Sequence, residues 1–283
     1  MCQLYPATER FFKDANHLPA MPEVAQRLLA TFRRDDVGLP ELATLIGSDQ
    51  ALSARLLRLA NSARYSPARG GGDRVLRLSD ATALIGLAAL RSLAMGACLA
   101  NVFPNPQGFD RVRFWCQNLA TAGHARWLAE LLGEDPDTAE MAGLMLRSGE
   151  LLMLLAEPGL TALVEDMAGP PDSVFEVERL NFGCTHAEVS AELAVRWRFP
   201  AEMVDALFTA ADPLAAQPFS RMGALLRCAS VLADAGCAGL DPLAELAQHQ
   251  NELVQRLGLD LAALAGCLPV WTRLTATVSD LLG

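Results

Sequence analysis

The sequence predicts an all-α fold, and three observations predict it. Apolar residues recur at three- and four-residue spacing over most of the chain, as on one face of a helix. Convincing runs that alternate apolar and polar residues, the mark of a strand, are absent. Pro, Gly, Asp, Ser and Thr stand where helices would start and stop. With 283 residues the chain can form one large domain or two ordinary ones, and because 52% of it is apolar, extensive burial is expected.

The elements follow in order. A short lead-in helix is expected up to Asn16. Pro22 suits a first helical turn, and Met21, Val24, Leu28 and Phe32 then recur on one stripe. Pro40 opens a short helix that buries Leu42, Leu45 and Ile46 and breaks at Gly47-Ser48. Ser48 or Asp49 can cap the next helix, whose stripe is Leu52, Leu56 and Leu59. Asn61-Ser62 marks its end, since Asn tolerates the left-handed conformation there. Gly70-Gly71-Gly72 reads as a flexible connector, because no Gly-x-x-x-x-Gly-Lys-Ser/Thr surrounds it. Ser79 is expected to cap a helix that Gly86 breaks or bends, with a second segment reaching Phe103. Pro104 and Pro106 close this part.

The second part is again helical. Val112 to Leu132 ends at Gly133, and Asp137 is expected to cap one helix from Thr138 to Ala156. Shorter helices follow Pro158 and Pro171. Thr185-His186-Ala187-Glu188 has the spacing of a capping box. Its helix stops at Pro200, and Ala201–Ala211, Phe219–Ala235, Asp241–Leu257 and two segments around Pro269 complete the inventory.

Net charge is −10 but uneven: residues 1–100 carry 12 basic and 9 acidic side chains, and the remainder nets −13. The second part therefore repels nucleic acid and anionic lipid at long range. No apolar run is long enough to cross a bilayer, since the richest, Gly143 to Ala156, contains Arg147 and Glu150. The N-terminus lacks the pattern of a secretory signal, so a cytoplasmic protein without a membrane partner is expected. The seven cysteines show no Cys-x-x-Cys and read as reduced, buried, small hydrophobes.

Several blocks in order resemble one family. They are Leu18-Pro19-Ala20-Met21-Pro22-Glu23-Val24, the run from Leu42 to Ala63, and Ala83-Leu84-Ile85-Gly86. Phe114-Trp115, Ala142-Gly143-Leu144, Cys184-Thr185-His186-Ala187-Glu188-Val189 and Trp197-Arg198-Phe199-Pro200 continue them. Together they resemble the HDOD domains, bacterial signalling domains distantly related to HD-type metal phosphohydrolases. The resemblance covers residues 10–213 and implies an N-terminal helical lobe packed on an HD-like helical lobe, with the boundary near 104–110. Residues 214–283 are then extra C-terminal helices packed on the HD-like lobe.

An HD-type hydrolase needs clustered His and Asp ligands for metal ions that activate water and neutralise phosphate charge. Many family members keep a trace as Gly-Leu-Leu-His-Asp-x-Gly-Lys. Here the matching run is Gly143-Leu144-Met145-Leu146-Arg147-Ser148-Gly149-Glu150. Leu146 replaces the His, Arg147 the Asp and Glu150 the Lys. Where a His-His pair often precedes a Pro, Ala210-Ala211-Asp212-Pro213 stands. No metal, no cofactor and no catalytic residue are expected. His124, His186, Glu178 and Glu188 remain. His186 is read as a buried, hydrogen-bonded first-turn histidine, and His124 as a packed or interfacial one. Arg147, Glu150 and His186 form the vestigial pocket, where a guanidinium could take an anion or pair with Glu150.

Leu42 to Gly47 followed by Asp49 to Ala60 also scans like a helix-turn-helix, with Gln50, Arg55 and Arg58 towards DNA. Ser53 stands where a branched apolar residue normally packs, and the basic excess is small. Binding of nucleic acid is therefore not the preferred reading. The preferred reading is a non-catalytic regulatory protein in signal transduction. It would bind a kinase, response regulator or cyclic-nucleotide enzyme, with a link to cyclic-di-GMP signalling. Arg55, Arg58, Asn61 and Ser62 are the candidate contact residues. A helix-turn-helix regulator and a residual HD phosphohydrolase are the alternatives, and the oligomeric state is left open.

Overall fold

The computed structural model describes residues 6–13, 20–31, 34, 36–61, 74–106, 109–169 and 171–282, and every described element is helical. Ser62 and Gly70–Gly72, for which the sequence sets expectations, lie outside the described residues. No single helix among the described residues is long and apolar enough to cross a membrane. The chain clusters into two units, Ala20–Asn105 with Thr275–Gly283, and Met1–Pro19 with Pro106–Leu274.

The first unit contains α1 (Glu23–Thr31), α2 (Leu39–Gly47), α3 (Gln50–Ala60), α4 (Leu78–Ile85) and α5 (Leu87–Val102). Asp49 caps α3 by accepting from the Leu52 N–H at 3.0 Å. Leu52, Leu56 and Leu59 are buried as the stripe requires. Each contributes about 1.5–3 kcal/mol by leaving water. Ser53 does not leave a hole in the packing, because its hydroxyl donates to the Ile46 carbonyl at 3.0 Å and ties α3 to α2. Arg77, not Ser79, is the N-cap of α4, and no side chain caps it. Gly86 separates α4 from α5 at φ 84°, a backbone that side chains other than glycine rarely adopt. Arg91 is buried on α5 and donates to the Thr31 carbonyl at the end of α1, at 2.8 Å.

The second unit contains α6 (Arg111–Leu132), α7 (Pro136–Met145), α8 (Ser148–Ala156), α9 (Pro158–Met167), α10 (Ser173–Phe182) and α11 (His186–Arg196). α12 (Ala201–Thr209), α13 (Arg221–Ala238), α14 (Pro242–His249), α15 (Asn251–Leu257), α16 (Leu261–Leu264) and α17 (Trp271–Leu274) follow. The long α6 packs against α7 and α13, while α11 packs against α8 and α12. Residues 186–194 of α11 are buried without interruption, so this helix lies within the unit rather than on its surface. Glu9–Phe12 forms a single 3₁₀ turn that buries Phe11 and Phe12, and Arg10 donates to the Phe182 carbonyl at 2.7 Å.

Three expectations about the extent of the helices and the C-terminal stretch need correction. The segment 138–156 is two helices, capped by Asp135 rather than Asp137 and broken at Leu146-Arg147. At the break Ser190 of α11 donates to the Leu146 carbonyl and accepts from the Gly149 N–H, both at 2.7 Å, so the two helix ends are satisfied from outside. The segment 241–257 is likewise two helices, broken at Gln250. The stretch from 214 onward is not one extension: it stays with the second unit to Leu274, after which α18 (Val278–Leu282) packs on α3 and α5 of the first unit.

Candidate functional site

The residues in place of the HD signature fall at the break between α7 and α8. Leu146 is the last position of the α7 turn and is fully buried. Arg147 follows with φ −91° and ψ 2°, outside regular helix, which turns its side chain away from the path an unbroken helix would give it. Its guanidinium is buried, with the side chain 5% exposed. One terminal nitrogen donates to Glu150 Oε1 at 2.6 Å. The other donates to Asp234 on α13 and to Ser230 Oγ at 3.3 Å. Asp234 also accepts from Gln117 Nε2 on α6 at 2.9 Å. Three helix segments thus converge on one cation.

His186 stands beside this group as the first residue of α11. Thr185 caps that helix, accepting from the Glu188 N–H at 3.3 Å, while Glu188 accepts from the Thr185 N–H at 2.7 Å. This is the capping box the sequence predicts. The cap sets the direction of the His186 ring. A single oxygen of Glu178, on α10, lies 2.8 Å from both the His186 backbone nitrogen and Nδ1. A carboxylate only accepts, so Nδ1 carries the proton. Nδ1 is also 3.8 Å from Glu150 Oε1, which joins the dyad to the arginine cluster. Nε2 is buried and has no partner among the described residues. The Phe175 ring covers the imidazole with centroids 4.5 Å apart, and the Arg227 guanidinium lies 3.5 Å from the Phe175 centroid.

The charges explain the protonation states. Burial opposes the protonated form of His186, but the charge and hydrogen bond of Glu178, with Glu150 behind them, outweigh it and raise the pKa. Burial raises the Glu150 pKa, and Arg147 and His186 offset only part of that rise. Arg147 stays charged: burial works against it, and Asp234 and Glu150 more than compensate. His124 is a separate case. It is buried on α6 beside Trp127, and burial alone lowers its pKa to about 4.

The donor set does not fit a metal. Leu146 offers no lone pair, and Arg147 puts a fixed positive charge where a ligand would stand. Glu150 and Asp234, the carboxylates that could turn to a cation, already hold that guanidinium. Among the described residues no three His, Cys, Asp or Glu side chains are placed to hold a metal ion. An anion fares no better, since both terminal nitrogens of Arg147 are spent on protein acceptors and three carboxylates ring the cluster.

The second group of candidates lies on α3. Arg55 is half-buried and its Nη1 donates to the Ala97 carbonyl of α5 at 3.4 Å. Arg58 is exposed on the outer face. Asn61 ends α3 in the right-handed region, not the left-handed one expected. Its amide donates to the Leu57 and Val75 carbonyls at 2.7 and 2.9 Å, and its oxygen accepts from the Val75 N–H at 2.8 Å. Asn61 therefore fixes the returning chain, and Arg58 is the described candidate whose side chain faces outward. Sequence reasoning did not single out Asp234, Ser230 or Gln117. The available signal was Asp234 itself, a lone acid in an otherwise apolar stretch of α13.

Comparison with known proteins agrees with this architecture. The family model for the HDOD domain matches residues 18–213. A solved structure from Shewanella amazonensis SB2B, the “Putative phosphohydrolase”, is 26% identical with a TM-score of 0.76, covering 97% of this chain and 98% of that one. The “Putative signal transduction protein” from Marinobacter aquaeolei VT8 is 25% identical with a TM-score of 0.71, covering 98% of this chain and 64% of that one. An uncharacterized protein of Treponema pallidum (strain Nichols) is 28% identical over 195 residues, 67% of this chain, and this chain spans 37% of its length. The matched blocks, the all-helical fold and the position of the altered HD run lead to one conclusion: the chain belongs to the HDOD domain family.

Proposed function

We propose that this chain is a non-catalytic regulatory protein of signal transduction that acts by binding partner proteins. The observation that carries this reading is the Arg147 guanidinium. It stands in the run that replaces the HD signature, at the place of the ligand Asp, and is held by Glu150 and Asp234, so a fixed positive charge takes the position of a metal ligand. His186 Nε2 is sealed from solvent, so no substrate reaches the Glu178–His186 dyad in this arrangement. The signal-transduction name of the Marinobacter aquaeolei relative supports the reading. The exposed face of α3 around Arg58 is the proposed contact for a kinase, response regulator or cyclic-nucleotide enzyme, within cyclic-di-GMP signalling.

Metal analysis combined with a phosphodiesterase and phosphatase screen tests the first half. Stoichiometric metal, with turnover abolished by His186→Ala, overturns it. Identification of proteins that co-purify with the native chain tests the second half. A signalling protein retained by the native chain and lost with Arg58→Glu is the expected result. Steeply salt-dependent duplex binding, lost in Arg55→Ala/Arg58→Ala, would instead favour the DNA-binding alternative.

A further inference from the structure

The seam between α6 and α13 carries two cysteines that the regulatory reading does not use. The helices run antiparallel. Gln117, near the start of α6, bonds Asp234 near the end of α13 at 2.9 Å. Arg221, at the start of α13, bonds Glu134 just past the end of α6 at 2.7 Å. In that register residue 116 comes opposite residue 237. Cys116 adjoins Gln117, and Cys237 lies one turn beyond Asp234 on the same edge of α13. Both cysteines are half-buried and free, whereas Cys98, Cys184 and Cys228 are buried. Cα atoms of the two helices approach within 8 Å along this seam. A disulfide needs its two Cα atoms within about 7 Å of each other.

We propose that Cys116 and Cys237 are a thiol-oxidation site that closes to a reversible intramolecular disulfide. Hydrogen peroxide is the oxidant. The Cys237 thiolate attacks a peroxide oxygen; an S–O bond forms, the O–O bond breaks, and the departing hydroxide takes a proton to leave as water. Cys116 then attacks the Cys237 sulfur. An S–S bond forms, the S–O bond breaks, and the second oxygen leaves as water with the Cys116 proton. The two thiols lose two electrons and the peroxide gains them. Burial, then the neighbouring charge of Cys237, raises the Cys116 pKa, which disfavours Cys116 as the group that meets peroxide. The bond would pin α6 to α13 within a turn of Gln117 and Asp234, the pair that supports Arg147. The proposal does not depend on the regulatory reading.

The test uses the full chain, fully reduced, then exposed to hydrogen peroxide. Remaining thiols are alkylated and the digest is analysed by mass spectrometry without reduction. The expected product is a Cys116–Cys237 linked peptide, two hydrogens lighter than its parts, in monomeric protein and reversed by dithiothreitol. In Cys116→Ser the Cys237 sulfenic acid accumulates and is trapped by dimedone. Links from Cys116 or Cys237 to other cysteines, intermolecular links through the exposed Cys267 alone, or full alkylation of both thiols at peroxide doses that oxidise Cys267 would each overturn the proposal.

Discussion

Replacing Arg147 by Met is the most informative perturbation of the second unit. The guanidinium is 5% exposed, and its partners Asp234 and Glu150 are 13% and 23% exposed. Removing one member of a buried ion cluster strands the others and costs about 3–5 kcal/mol. Asp234 keeps its bond from Gln117, and Glu150 keeps His186 at 3.8 Å, which places the expected loss near the lower end, about 3 kcal/mol. For a unit of this size that is a fall in Tm of roughly 6–12 °C. Urea and thermal denaturation followed by circular dichroism measure it. The triple variant Arg147→Met/Glu150→Gln/Asp234→Asn removes the stranded charges and is expected to recover most of the loss. The single variant should also gain on wild type as pH falls, because its unpaired carboxylates take up protons. A loss below about 1 kcal/mol, the range of an exposed pair, would refute the reasoning.

Three further outcomes follow from the same geometry. Gly149→Ala drives a Cβ into the His186 carbonyl oxygen, a backbone atom that cannot step aside, so a loss of about 3 kcal/mol or more is expected in urea unfolding; a neutral result would mean that α8 and α11 separate freely. His186 has a raised folded pKa, so the stability it contributes is full below the ordinary histidine value of 6.5 and fades as pH rises through the folded value. The gap between wild type and His186→Gln should therefore narrow from pH 5.5 to 9, and a constant gap would count against the Glu178 pairing. His124 works in the opposite sense: its pKa is lowered to about 4, so between pH 6.5 and 4 the unfolded chain takes up a proton that the folded chain does not, and stability falls. His124→Phe should flatten that fall, and an unchanged acid slope would show that His124 is not its source.

Much of the fold was legible because helix ends are local events. Asp49, the Thr185–Glu188 box, Gly86 and Gly133 act on their own neighbours, and each does in the structure what its residue type permits. The breaks at Arg147 and Gln250 were not legible, because a distant helix causes the first of them. Ser190 satisfies the broken backbone from 41 residues away, and nothing near Gly149 announces that. The same limit applied to the site. The altered HD run and the Arg147–Glu150 pairing could be read from the sequence, but the other two partners of Arg147 lie 83 and 87 residues on, on α13. Arg55 and Asn61 read as candidate contact residues, because their carbonyl partners at Ala97 and Val75 carry no side-chain signal at all.

The return of α18 to the first unit has a consequence for how the chain assembles. Val278 and Leu281 are buried in a unit whose other helices end at Val102. During synthesis α1 to α5 emerge well before α18, and their packing stays incomplete until α18 follows them. Some 170 residues must be made, and can collapse on their own core, in the interval. Helices α1 to α5 are thus made before α6 to α17 but completed after them, and the apolar surface on α3 and α5 stays uncovered for that time. Domains that wait on distant segments fold slowly and lean on chaperones. A chain ending at Leu274 would keep every residue of the buried arginine cluster while leaving the first unit permanently in that nascent state.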